Sequence, residues 1–198
     1  MMNRNSKSAS KKLCATLIIA LVCSRASVAS GAQALTPTPT DTAVLTVVLT
    51  QFSQSKESAQ YNPHGHIGIS PTTTALMPSV TNKDYYEILK AGRVRVPDDA
   101  LYDYIKRNRQ TFQIDAFESL GDSARMESED LAFTGGLLPN PDLKTYVSLR
   151  VPGYSADGNR AYVSFDFRWS IHGASAFYML QRRAGVWTIV TTDFVFAV

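Results

Sequence analysis

An α+β domain, with N-terminal helices packed on a C-terminal antiparallel β-meander, is the fold class this sequence predicts, and three observations carry the prediction. The last third, from Tyr146 to Val198, reads as β-strands joined by short turns at Asp157-Gly158 and Ala184-Gly185, where glycine takes φ > 0 at little cost. From Ala161 to Trp169 the residues alternate. Ala161, Val163, Phe165, Phe167 and Trp169 fall on one face and Tyr162, Ser164, Asp166 and Arg168 on the other, the pattern of a half-buried antiparallel strand. Upstream, apolar residues recur at helical spacing instead, so helices are expected to cover one face of the sheet. A β-sandwich is the alternative; alternating β-α-β units are not evident.

Taken in order, Met1 to Ala34 has the layout of an export signal. Arg4, Lys7, Lys11 and Lys12 form a basic start, Leu13 to Cys23 is an apolar run, and small residues follow. The run is shorter than the ~20 residues a membrane-spanning helix needs, so no span is expected after cleavage. Ser27-Val28-Ala29 and Ala32-Gln33-Ala34 are the two candidate cleavage sites, the first at the better distance from the apolar run and the second with the better A-x-A match. A lipoprotein reading would acylate Cys23, but Val22 is not the small residue such sites present. The expected destination is the periplasm or the medium.

Cleavage changes the charge argument. The whole chain has 20 Lys and Arg against 17 Asp and Glu, a formal charge of +3, but five basic residues and no acid lie in the signal. The remainder carries a net charge of −2, so the precursor's pI near 8.9 gives no support to nucleic-acid binding. Both cysteines, Cys14 and Cys23, leave with the signal. No disulfide, thiol nucleophile or thiolate metal site is then expected, and stability must come from a core.

Residues 35–42, with TPTPTDT at their heart, read as a Pro/Thr linker, and residues 43–198 as a single domain. Val44, Leu45, Val48, Leu49 and Phe52 stand at helical spacing behind Asp41 or Thr42 as N-cap, with a strand reading as the alternative for this β-branched run. One short strand is permitted before Pro71. Asn82 to Ala91 predicts a helix stopped by Gly92, and Pro97 opens another running to about Asn108 with Leu101, Tyr104 and Ile105 on one face. Between them AGRVRV alternates and reads as a short edge strand; TFQIDAF, from Thr111, reads as a further strand. Ser128 can cap a single helical turn, and Gly135-Gly136 with Pro139 and Pro141 makes a loop before the sheet. In the final strand Trp187 and Ile189 have one parity and Phe194, Phe196 and Val198 the other, so a bulge near Thr191 to Asp193 is needed to bring them to one face.

Gly153, Tyr154, Asp157 and Ala161, then Gly173, Leu180, Arg182, Gly185, Trp187 and Ile189, form a pattern that resembles the C-terminal half of a group of uncharacterised, mostly exported bacterial proteins. That pattern is a glycine-aromatic start, a D-x-x-x-A turn, a strand ending in L-x-[KR], and G-x-W-x-[IV] before the last strand. The resemblance implies fold and export and brings no activity with it. Members often carry cysteines near the step before the third strand, where this chain has Trp169, Ser170 and Ile171.

The chain has no G-x-S-x-G elbow, no phosphate loop, no dinucleotide fingerprint, no H-E-x-x-H and no EF-hand loop. His172 could act as a base with Asp166 or Asp193 orienting it and Ser170 or Ser175 as nucleophile, but no spacing enforces such a triad, and a turn histidine is the plainer account. His64 and His66 could reach one metal from an extended backbone, yet no third ligand is specified. Asp166, Arg168, His172 and Tyr178 are the candidate ligand-binding residues, as a polar patch on the sheet or in its turn. Three functions follow as expectations: a non-catalytic exported domain binding a protein, peptide or envelope ligand; a small-molecule-binding cone with an apolar pocket; and a hydrolase using His172. No cofactor is implied.

Overall fold

A computed structural model describes residues 34–59, 62–134, 138–169 and 172–197. The expected signal up to Gln33, both cysteines, Gly135-Gly136, Ser170 and Ile171 lie outside the described residues.

The first helix, α1 (Pro39–Ser53), starts earlier than its apolar spacing predicts. Thr38 is the N-cap, Pro39 fills the first turn where no N–H is needed, and Asp41 completes a capping box, its Oδ2 accepting from the Thr38 N–H at 2.8 Å. Half of the expected 35–42 linker is therefore helix. Val44, Leu45, Val48, Leu49 and Phe52 are all fully buried, as the helical spacing predicts.

Among the described residues nine strands follow: β1 (His66–Ile69), β2 (Ala124–Met126), β3 (Phe133–Thr134), β4 (Leu138–Pro139), β5 (Leu143–Leu149), β6 (Gly153–Tyr154), β7 (Arg160–Trp169), β8 (His172–Arg183) and β9 (Val186–Ala197). Three further helices are α2 (Asn82–Lys90), α3 (Asp98–Arg107) and the single turn α4 (Glu129–Ala132), which matches the turn expected after Ser128. The main sheet runs β2-β1-β5-β7-β8-β9, with β6 added beside β7, and β3 and β4 form a separate small pair. β7, β8 and β9 are the expected meander. On its far side the sheet is mixed, because β1 pairs in parallel with both β2 and β5. All four residues of β1 are buried, as befits a strand covered on both faces.

The two hairpin turns form where glycine predicts them. Gly158 has φ 67° between β6 and β7, and Ala184 and Gly185 have φ 47° and 82° between β8 and β9, the pair of left-handed residues that a two-residue hairpin turn needs. The bulge in β9 also forms, at Val190. Met179 pairs with Thr191 and Leu180 with Ile189, leaving Val190 extra, and Trp187, Ile189 and Phe194 all pack on one core as a result.

Two expected strands are absent. In AGRVRV, Val94 is drawn into the cluster of Leu101 and Tyr104 between α2 and α3, so the segment wraps the helices and pairs with nothing. TFQIDAF is extended and buries Phe112, Ile114 and Phe117, but it makes one isolated bridge, Thr72 with Gln113. Pro71 accepts from the Ile114 N–H at 2.8 Å and has no N–H with which to continue a ladder.

The helices do not share one face. α1 lies on the side of Ala161, Val163, Phe165 and Phe167, its Phe52 ring 5.0 Å from Phe165 and 4.8 Å from Phe167. α2 and α3 lie on the other side, so the alternate row of β7 is not simply solvent-facing: Tyr162 and Ser164 are buried beneath α3. Gly153 fixes α3 there, since any side chain at this position would run into the α3 backbone at Ala100 and Tyr104. The Tyr154 N–H donates to Asp103 Oδ2 at 2.9 Å, and Asn108, fully buried at the end of α3, exchanges hydrogen bonds with the Val151 backbone at 2.8 and 2.9 Å.

Candidate functional site

The face of β7 and β8 that carries α2 and α3 is polar at its middle. Cross-strand pairing sets Ser164 opposite Phe177 and Asp166 opposite Ser175. α3 supplies Tyr104, whose hydroxyl meets Ser164 Oγ at 2.5 Å. Arg150, just after β5, reaches across the sheet and donates from a terminal nitrogen to Asp166 Oδ2 at 2.6 Å, while Ser175 Oγ donates to Asp166 Oδ1 at 2.7 Å. Arg150 is only 14 % exposed, and its Nε–H is buried without a protein acceptor.

Burial pushes the Arg150 pKa down, but the Tyr104 hydroxyl and the Asp166 carboxylate beside it more than reverse this, so the net shift is upward and the guanidinium stays charged. Burial raises the Tyr104 pKa, which keeps its hydroxyl protonated. The floor is thus a set of paired groups: one ion pair, and hydroxyls already engaged.

Above this floor α2 leaves space. One cavity of about 340 Å³ has Arg150, Ser164, Asp166, Ser175 and Tyr104 below and Leu76, Met77, Tyr85, Leu89 and Phe177 as apolar walls. A second, of about 260 Å³, adjoins it through Leu89 and Phe177 and is walled by Ile88, Gly92, Val94, Tyr162 and Val195. Arg93 and Asp193 stand at this second space with 3.9 Å between their charged atoms. Together the two spaces, which share Leu89 and Phe177, make a cleft beside α2 with apolar sides, the Arg150–Asp166 pair in one part and the Arg93–Asp193 pair in the other.

The sheet distributes the sequence-predicted residues differently. Asp166 is in the cleft floor. Arg168, two residues on, is directed to α4, donating to Glu129 Oε1 at 2.6 Å, with its guanidinium 5.9 Å from the Tyr146 ring centre; it does not pair with Asp166. Tyr178 projects to the opposite face, buried under α1 and stacked on Phe165 at 5.7 Å. His172 opens β8 opposite Trp169, exposed, also on the face away from Asp166. The sheet itself therefore separates His172 from Asp166 and Ser175, and Asp166 is held by arginine and serine instead of histidine. His66 is buried against Glu127 at 2.6 Å, whereas His64 is exposed, and both line one open surface pocket with Asp122, Arg125 and Asp142. Among the described residues, no group of three or more His, Cys, Asp or Glu could hold a metal ion.

Arg150, Tyr104 and Leu89, which make the cleft, carry no spacing signal relative to Asp166, because they arrive from three separate elements. The one available clue was indirect: Asp166 lies on a strand whose inward row is wholly apolar, so a partner for it had to come from the opposite side. Comparison with protein families, curated proteins and solved structures finds no match to the chain, so the site stands on its own chemistry.

Proposed function

We propose that this protein is a non-catalytic binding domain that holds a small amphipathic molecule in the cleft beside α2. The observation that carries this reading is the pair of adjoining cavities, about 340 and 260 Å³, the larger at the lower end of the size range of small-molecule sites. α2 itself supports it. Of its nine residues only Tyr86 is buried, against four in α3, so it is seated lightly over the cavities. The floor supports binding over catalysis, since its hydroxyls face carboxylate and hydroxyl partners and none faces a histidine.

An environment-sensitive apolar dye should bind saturably to the domain. Leu89→Trp, which fills the junction of the two cavities, should weaken that binding by about tenfold or more at unchanged thermal unfolding. Equal affinity in the variant would overturn the reading.

Export belongs to the same proposal and rests on the basic, apolar and small-residue order of Met1 to Ala34. So does kinship with the exported bacterial proteins that share the C-terminal pattern. Mass spectrometry of protein from its native host should find a new N-terminus between Ser30 and Leu35; an intact Met1 or a lipid on Cys23 would refute export by this route.

A second reading has its own support. β9 is an edge strand of twelve residues with no Lys, Arg or Pro, and Val186, Val190 and Val195 are exposed on it. Such an edge can accept an extended peptide as a further strand. Peptide binding that is indifferent to Leu89→Trp would favour this reading over the cleft.

A further inference from the structure

Building on the cleft reading, we infer that its ligand is an uncharged amphipathic molecule, with an apolar chain and a carbonyl or hydroxyl oxygen that meets Arg150, and not an anion such as a fatty-acid carboxylate. The charges lining the cleft are compensated at both ends. Arg150 and Asp166 are joined at 2.6 Å, and Arg93 and Asp193 face each other at 3.9 Å. Tyr104 and Ser164 are neutral and bonded to one another. Arg109, a further cation near the walls, directs its N–H groups to Asn82 Oδ1 and to the Met77 and Val80 carbonyls and does not line either cavity.

A carboxylate placed beside Arg150 would also stand beside Asp166, and in a partly desolvated cleft that repulsion cancels the attraction. A neutral acceptor meets no such repulsion. It would meet the small part of the Arg150 side chain that lines the cavity, at 14 % exposure, without displacing the Asp166 carboxylate. Met77, Leu89 and Phe177 then take the apolar chain.

Asp166 is on this account the residue that sets ligand charge preference. Decanamide and decanoate share a chain length and differ in the charge of the head group, so they isolate the effect. Titrated at pH 7.5 by displacement of the apolar dye, decanamide should bind the wild-type domain about tenfold or more tighter than decanoate. Asp166→Asn leaves Arg150 uncompensated and should raise decanoate affinity about tenfold or more, reversing the order. Decanoate binding the wild type as well as decanamide, or a preference unmoved in Asp166→Asn, overturns the inference while leaving the binding domain intact. Dye binding that neither decyl compound displaces also overturns the inference alone. If neither dye nor decyl compound binds, the inference and the proposed function both fall. Should Asp166→Asn not fold, the wild-type ratio decides by itself.

Discussion

Replacing Asp41 with alanine is expected to lower the unfolding free energy by about 3–5 kcal/mol, the usual cost of stranding one partner of a buried ion pair. Asp41 is fully buried in the first turn of α1. Its carboxylate accepts from both terminal nitrogens of Arg107 at 2.7 and 2.9 Å, from the Tyr154 hydroxyl at 2.8 Å and from the Thr38 N–H at 2.8 Å. One side chain therefore ties the start of α1 to the end of α3 and to β6, across the edge of the two helix layers. The alanine variant leaves Arg107, itself mostly buried, with only the neutral Pro152 carbonyl as its acceptor in this cluster.

The same cluster makes stability depend on pH. Burial raises the Asp41 pKa, but the hydrogen bonds from Arg107, Thr38 and Tyr154 outweigh it, and the net shift is downward. A carboxylate whose folded pKa lies below its unfolded value stabilises the fold above the unfolded value, about 3.9, and loses that contribution as pH falls through the folded one. Urea unfolding of wild type and Asp41→Ala should therefore show a gap that is full at pH 6 and narrows below about pH 4. A gap that stays constant down to pH 2.5, or one below about 1 kcal/mol at pH 6, would show that the cluster does not hold α1.

Trp187→Ala should cost about 3–5 kcal/mol in urea unfolding at neutral pH, as for other buried large aromatics. The indole is 8 % exposed although it stands on the edge strand, two residues past the Ala184-Gly185 turn. Its ring lies 6.0 Å from the Tyr154 ring and is covered by the Arg182 guanidinium at 5.9 Å. Removing it opens a space beside Tyr154, whose hydroxyl also serves Asp41, so the loss reaches the α1 anchor as well as the sheet edge. A cost below about 1 kcal/mol would mean that the ring contributes little to the core and that β9 is held by its hydrogen bonds alone.

Much of this architecture is legible in the sequence. The helix-spaced residues of α1, the glycine turns at Gly158 and Gly185, and the inward row from Ala161 to Phe167 all depend on residues close together in the chain. Even the bulge could be read from the parity of Trp187 and Phe194, though it falls at Val190, slightly before the expected place. The start of α1 departs from the linker reading for a local reason: Thr38-Pro39-Thr40-Asp41 carries a complete capping box, in which a proline suits the first turn as well as it suits a linker.

Capping, periodicity and turn geometry act between near neighbours, so the sequence records which segments become helices, hairpins and a final meander. Only long-range packing sets α1 on one face of the sheet and α2 and α3 on the other, brings β1 in parallel beside β5, and joins Arg150 to Asp166 under a lightly seated helix. Those outcomes turn on sheet register and on contacts between residues far apart in the chain, where closing the intervening loops costs little extra free energy with length and no local pattern records the partner.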